Sequence, residues 1–312
     1  MTVAALPDDL VTNVDSPVRP AAGFGAVLRA YFMLTKPRVI ELLLVTTVPA
    51  MVLAAGKLPS LGLIGAVLLG GTLSAGGANT INCWIERDRD QVMRRTHTRP
   101  LPQGDISPNA ALIFGLVLEA VAFVWLSLTV NVLSAVLSVT AMLFYIFVYT
   151  IWLKPRSAQN IVIGGAAGAV PVLVGWSSVT NSVSVSAWVM FAIVFCWTPP
   201  HFWALSVRYR DDYAKAGIPM LPVVIGIAAA SRQILVYAVV TVVVSFALVP
   251  VAHVGWIYGG SALVLGAVFV AAAVALLRDS TPERAMKLFH YSNTYLALLF
   301  VAIAADVIVR AN

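Results

Sequence analysis

The amino-acid sequence predicts an all-α, polytopic membrane protein: nine transmembrane helices around a central cavity that opens near the cytoplasmic face. Three observations carry this expectation. The 312 residues are 60% hydrophobic and 11% charged, where soluble domains run at roughly 45–50% and about 25%, and mean hydropathy is +0.90. Nine separate stretches are long enough to cross a hydrocarbon core, which takes about 20 apolar residues. None alternates with the period of a membrane strand, and backbone groups cut off from water must bond within their own segment. The composition excludes a disordered chain, a coiled coil and a secreted disulfide scaffold. The net charge of +6 does not indicate a nucleic-acid partner, because membrane sidedness accounts for it.

Residues 1–30 hold Asp8, Asp9, Asp15 and several prolines without an apolar run. They read as a cytoplasmic, mostly disordered tail, neither a signal peptide nor a mitochondrial transit peptide. Residues 31–312 read as one transmembrane domain, and 21–35 as a short amphipathic helix lying on the membrane. The spans follow at 39–56, 62–84, 110–129, 132–153, 158–176, 185–206, 231–252, 255–277 and 290–309. With this partition eighteen of the 20 Lys and Arg residues fall on one side, and only Lys57 and Arg310 on the other. The positive-inside rule then puts the N-terminus in the cytoplasm and the C-terminus outside a cell membrane. An odd number of spans is required, since one helix more or less would scramble the alternation. Gly70, Gly71, Gly76 and Gly77 in the second span, and Gly164, Gly165, Gly168 and Ala169 in the fifth, read as small faces for close helix approach. Cys83 and Cys196 lie in apolar stretches and read as packing residues.

The polar residues cluster at the cytoplasmic ends of spans. At about 100° per residue, Asn82, Glu86 and Asp90 fall at about 0°, 40° and 80° on one helix face, Asn79 joins them, and Asp88 points away. Converging carboxylates at a membrane border lose hydration and repel, so a cation is needed to compensate them. Oxygen donors select a hard cation, Mg²⁺ before Ca²⁺. Arg94, Arg95 and Arg99 supply guanidinium forks suited to a diphosphate. The competing reading is a solvated loop whose acids and bases neutralise one another.

A second cluster follows the sixth span, where Pro199 and Pro200 are expected to break or kink the helix. His201 reads either as a satisfied structural histidine or as a substrate contact. Asp211 and Asp212 are adjacent and cannot share a helix face; Asp212 is the better candidate ligand. Trp197, Phe202 and Trp203 are interfacial anchors or aromatic walls for a cation or a flat ring. Tyr149, Lys154 and Arg156 end the fourth span as a third polar patch. Glu41 and Glu119 are intramembrane acids without an assigned role.

The row N-x3-[D/E]-x3-D (Asn82, Glu86, Asp90), M-x-R-T-x-x-R-P-L (Met93 to Leu101), NIVIGGAAGA (160–169), PHFWAL (200–205) and DDYAKAGIPMLP (211–222) resembles the intramembrane UbiA-type prenyltransferase superfamily. The likeness is strongest to its haem-farnesylating branch and runs from about Lys36 to the C-terminus. The resemblance implies transfer of the farnesyl group of farnesyl diphosphate, ionised with the help of Mg²⁺, to a vinyl group of haem B. Water completes a hydroxyethylfarnesyl group, giving haem O for haem–copper oxidases. It implies that Asn82, Glu86, Asp90 and Asp212 hold Mg²⁺ and diphosphate, that Arg95, Arg99, Lys154 and Arg156 contact diphosphate, and that Tyr149, His201 and Asp211 line the substrate site. Haem B is substrate, not cofactor; membrane lipid surrounds the enzyme, and a haem A synthase partner follows only from the pathway. The second cluster carries Tyr209 and the adjacent Asp211 and Asp212 in place of the superfamily's D-x3-D, which leaves the number of Mg²⁺ ions, one or two, open. Competing functions are prenylation of a quinone-precursor or chlorin ring, and transport through a path containing Glu41 and Glu119. Polar clusters confined to one membrane face favour an enzyme over the midplane sites of transporters.

Overall fold

A computed structural model describes residues 23–311, without the side chains of Arg38, Val39, Leu42, Leu43 and Leu44. The expectation of a disordered tail falls largely on residues 1–22, outside the described residues. All regular elements among the described residues are helical. A short helix α1 (Phe24–Leu34) precedes α2 (Pro37–Ala55), α3 (Leu61–Val92), α4 (Pro108–Thr129) and α5 (Val132–Leu143). The last of these continues without a break into a π-helical stretch, Phe144–Leu153. Then come α6 (Asn160–Thr180), α7 (Val185–Arg208), two short helices α8 (Arg210–Lys215) and α9 (Leu221–Ile225), and the long α10 (Ile227–Ala252), α11 (Trp256–Arg278) and α12 (Pro282–Ala311).

Helix starts follow local chemistry. Ser60, Ser107, Asn131 and Ser184 each accept a hydrogen bond from a backbone N–H of the first turn of α3, α4, α5 and α7, satisfying donors that a helix N-terminus leaves open. Proline opens α2 and α4, where its missing N–H costs nothing. Eight helices among the described residues are long and apolar enough to span a membrane. The remaining expected span, 39–56, falls on the 19-residue α2, which is not one of the eight. The chain is an integral, multi-pass membrane protein.

The helices form a closed ring in which each of α2, α3, α4, α5, α6, α7, α10, α11 and α12 packs on the next and α12 returns to α2; α2 also meets α6, and α7 meets α12. Glycine sets two of the tightest approaches: a Cβ on Gly175 would meet the Thr47 carbonyl oxygen at 2.5 Å, and one on Gly77 the Gly115 carbonyl oxygen at 2.8 Å. Gly70, Gly76, Gly164 and Gly165 are also packed against other helices, whereas Gly168 faces open space. Two of the sequence expectations are adjusted. Pro199 and Pro200 lie inside an unbroken α7, because packed neighbours in a bundle compensate carbonyls that proline frees. The last of the expected spans begins at Pro282 rather than 290, and its helix is 30 residues long.

At 32 residues α3 is about 48 Å long, well beyond a bilayer core of about 30 Å. Its polar end therefore sits at the membrane margin, at the end of the bundle that also carries the Arg-rich loop 93–107. Two apolar grooves, of about 1100 and 760 Å³, lie between α1 and α4 and between α11 and α12; neither is lined by the polar clusters.

Candidate active site

Asn82, Glu86 and Asp90 lie along one face of α3 and all three are buried. Each meets a basic side chain from a different part of the chain. The Lys36 ammonium donates to Asn82 Oδ1 at 2.6 Å, Lys154 pairs with Glu86, and Arg99 Nη1 lies 2.6 Å from Asp90 Oδ2. Asp88, on the opposite side of α3, is 79% exposed and pairs with its neighbour Arg87 at 3.8 Å. The helical spacing thus separates the residues of the row from the solvated one.

Three local structures bring the bases in. Lys36 is the joint between α1 and α2 and adopts a left-handed backbone, φ +54°, which turns its side chain back toward α3. Arg99 sits in the turns that follow α3. Lys154 ends the π-helical stretch, where the Lys154 N–H bonds the Tyr149 carbonyl five residues earlier at 2.8 Å. The same register lets the Thr150 hydroxyl donate to the Tyr145 carbonyl at 2.8 Å and accept from Asn82 Nδ2 at 3.0 Å. Wide π turns of this kind occur often at functional sites. Burial pulls the Lys36 ammonium below the ordinary lysine range. Burial pulls Lys154 the same way, but the Glu86 carboxylate more than offsets it and holds Lys154 above that range.

The second cluster is joined to the loop that follows the first. Asp212, on α8, is buried and its Oδ1 accepts from Arg94 Nε at 3.1 Å. Its neighbour Asp211 is exposed, as two adjacent positions on a helix require. The Arg95 guanidinium lies over the rings of Tyr209 and Tyr213, 6.0 and 5.8 Å from their centroids. Asp212 Oδ2 and Arg95 Nε are buried with no hydrogen-bond partner among the described residues. A buried carboxylate oxygen and a buried guanidinium N–H, both unpartnered, are the polarity that a cation and an anion bound together would satisfy.

No three His, Cys, Asp or Glu side chains among the described residues converge tightly enough to hold a metal by themselves. The physical reason is visible in the pairing: each carboxylate is drawn onto its own base. The donor set is nonetheless all oxygen, which suits Mg²⁺ sharing its coordination with phosphate oxygens.

Tyr149 is held by a close approach to α6: a Cβ on Gly164 would lie 2.2 Å from its Cδ2. Its ring stacks on Tyr145 at 5.5 Å and lies 5.8 Å from the Lys154 ammonium. Arg156 is exposed at the same helix end and donates to the Ile151 and Trp152 carbonyls. His201 is buried on α7 and bonds Ser292 of α12 through Nδ1. Trp203 is fully buried against Tyr237 of α10, a core position. Asn79 donates to the Thr35 carbonyl at 2.9 Å and ties α1 to α3 rather than joining the carboxylates. Glu119 faces α3, where it accepts from the Ser74 hydroxyl at 3.0 Å, while Glu41 is exposed. Sequence reasoning missed Lys36 and Thr150; the Lys-Pro step at 36–37 was the only signal for the first, and π-helical register has none.

The family model of the UbiA prenyltransferases matches residues 43–301. A protoheme IX farnesyltransferase of Frankia alni is 55% identical over 287 residues, covering 91% of this chain and 99% of its own. Protoheme IX farnesyltransferase 1 of Saccharopolyspora erythraea is 53% identical over 294 residues, 93% of each chain. Among solved structures, a digeranylgeranylglyceryl phosphate synthase superposes with a TM-score of 0.74 at 18% identity, covering 90% of this chain and 99% of the other. A UbiA homologue from Archaeoglobus fulgidus solved with GPP and Mg²⁺ gives 0.62 at 17% identity, covering 88% and 99%.

Proposed function

This chain belongs to the UbiA prenyltransferase family, and from that premise we propose that it transfers the farnesyl group of farnesyl diphosphate to a vinyl group of haem B, giving haem O. The observation that carries the reading is the buried row Asn82–Glu86–Asp90, with Asp212 tied by Arg94 to the loop that follows it. The protoheme IX farnesyltransferases of Frankia alni and Saccharopolyspora erythraea support haem B as the acceptor.

Asn82, Glu86, Asp90 and Asp212 would hold Mg²⁺. When bound, the ion supplies charge stabilisation to the departing diphosphate. Arg95, whose Nε has no partner, donates to a diphosphate oxygen. Arg99 and Lys154 sit close enough to their carboxylates to exchange part of each ion pair for phosphate oxygens as the substrate arrives. The C1–O bond of the prenyl diphosphate breaks with its electron pair on the leaving oxygen, where these donors stabilise the developing charge. The allylic cation bonds to the terminal carbon of the vinyl group. Water then adds at the inner carbon and loses a proton, completing the hydroxyethylfarnesyl group. Apolar helices exclude bulk water until the carbon–carbon bond has formed. Tyr149 and Tyr145 present aromatic faces beside the row, where a cation gains from the ring quadrupole. Arg156 serves diphosphate from the rim, beside the helix end that it caps, and Asp211 lines the substrate site from the solvent side of α8, without a bond to diphosphate.

The basic end of the bundle faces the cytoplasm of a cell membrane, with the N-terminus inside and the C-terminus outside. Residues 1–30 form a cytoplasmic tail, and 31–312 one catalytic domain. Haem A synthase is the partner that would consume the product.

The test is purified protein in lipid nanodiscs with haem B, farnesyl diphosphate and Mg²⁺, read by product mass. Haem O should appear, and chelation of Mg²⁺ should abolish it. Unmodified haem B in a preparation that prenylates another ring acceptor would establish the quinone-type alternative instead.

A further inference from the structure

His201 is 6% exposed and is fixed on every side that can be read. Its ring stacks between Trp197, at 4.2 Å and 20°, and Phe289, at 4.5 Å and 25°, and the edge of Phe202 closes a third side at 5.1 Å. Nδ1 lies 2.7 Å from Ser292 Oγ. The direction of that bond follows from proton counting. The Ser292 hydroxyl has one hydrogen, and it is given to the Phe289 carbonyl at 2.7 Å, which can only accept. Ser292 Oγ therefore accepts from His201, so Nδ1 carries the proton and Nε2 a bare lone pair. Ser292 is itself held in place, because the Trp197 indole N–H donates to its carbonyl at 2.8 Å. Ser292 is the only hydrogen-bond partner of the ring among the described residues, and Nε2 is not one of the sealed, unpartnered polar atoms, so it keeps an open approach.

A structural histidine in an apolar bundle is expected to have both nitrogens satisfied. A neutral imidazole with one N–H donated to a fixed acceptor and the other nitrogen bare is instead the arrangement of a metal-ligating histidine, with the second hydrogen bond selecting the tautomer and raising ligand basicity. His201 lies seven residues inside the end of α7 and Glu86 six inside the end of α3, so both sit about 10 Å in from the basic end of the bundle. An acceptor held here would be level with the diphosphate-activating row.

We propose that His201 Nε2 is the axial ligand that seats the iron of haem B for prenylation, with Ser292 as the positioning residue that fixes its tautomer. The inference rests on haem B being the acceptor. Phe289, on one face of the imidazole, and Phe202, edge-on to it, provide aromatic surface for the porphyrin.

The test titrates the nanodisc-embedded protein with ferric haem and reads the Soret and magnetic circular dichroism bands, with farnesyl transfer measured in parallel. Wild-type protein should show a histidine-ligated spectrum. His201→Gly should lose it and regain it on addition of free imidazole, which also shows that the variant is folded. Ser292→Ala should keep the ligand but weaken haem binding by about tenfold. Iron-free protoporphyrin should bind wild type and His201→Gly equally. A histidine-type spectrum that survives in His201→Gly without imidazole overturns the assignment while leaving farnesyl transfer standing. Wild-type protein that turns over haem B without any histidine-type spectrum overturns it equally. Absence of turnover with a histidine spectrum present strikes the proposed function and not the ligand.

Discussion

Arg94 and Asp212 are 118 residues apart in the chain and meet at 3.1 Å, joining the loop after α3 to the short helix after α7. This contact is what turns two polar clusters into one. The guanidinium is 81% exposed and the carboxylate 2%, so the base reaches in from solvent to be the one hydrogen-bond partner of a buried carboxylate whose other oxygen has none among the described residues. Arg94→Ala strips that buried carboxylate of its partner and should lower stability by about 1–3 kcal/mol, while raising the KM for farnesyl diphosphate. Differential scanning fluorimetry and initial rates separate the two effects.

Asp90 and Asp88 are two residues apart on opposite faces of α3. Asp90→Asn keeps an acceptor for Arg99 but removes a charge from the row, and kcat should fall on the order of 10²–10³-fold with the protein still monodisperse. Asp88→Asn, on the solvated face, should leave turnover near wild type. Equal rates for both variants, measured by haem O mass, would remove the row from catalysis.

Gly164 admits the Tyr149 ring into α6, and Gly168, one turn on, faces open space. Gly164→Ala should cost about 1–3 kcal/mol through overpacking and displace the tyrosine beside Lys154, lowering activity as well. Gly168→Ala should be neutral in both. Thermal unfolding of the two alanine variants provides the comparison.

Glu119 accepts a hydrogen bond from Ser74 across the α3–α4 contact, and its Oε2 is buried with no partner among the described residues. It is placed to tie two helices together, away from the row. Glu119→Gln should retain farnesyl transfer, with stability altered by no more than about 1–2 kcal/mol. Loss of transfer in a folded Glu119→Gln protein would assign this acid a part in the reaction.

Hydropathy and charge bias made the membrane bundle legible because lipid burial demands long apolar runs, and such runs survive any local detail of packing. The Asn82–Glu86–Asp90 row was equally readable, since an i, i+4 period on a helix fixes a shared face. The same reasoning separated Asp212 from Asp211. What the sequence did not reveal depends on contacts between distant elements or on unusual backbone. The reach of Lys36 to Asn82 requires a left-handed residue other than glycine, and nothing in the residue type announces that conformation. The placement of Thr150 and Lys154 follows from π-helical register, for which residue preferences carry no signal. The pairing of Glu86, Asp90 and Asp212 each with its own base, in place of a shared focus, came from segments whose path periodicity does not fix.

The apolar side chains of Phe24, Leu28 and Phe32 on α1 are exposed, and the helix runs straight into Lys36, which grips the start of the row. On the proposed reading, in which α1 lies on the bilayer surface, a float and the first rung of the chemistry are moored to each other. The skin of the bilayer sets the altitude of the reaction: a greasy isoprenoid tail can stay submerged while its charged head is met at the waterline, and neither substrate has to leave the lipid to find the other.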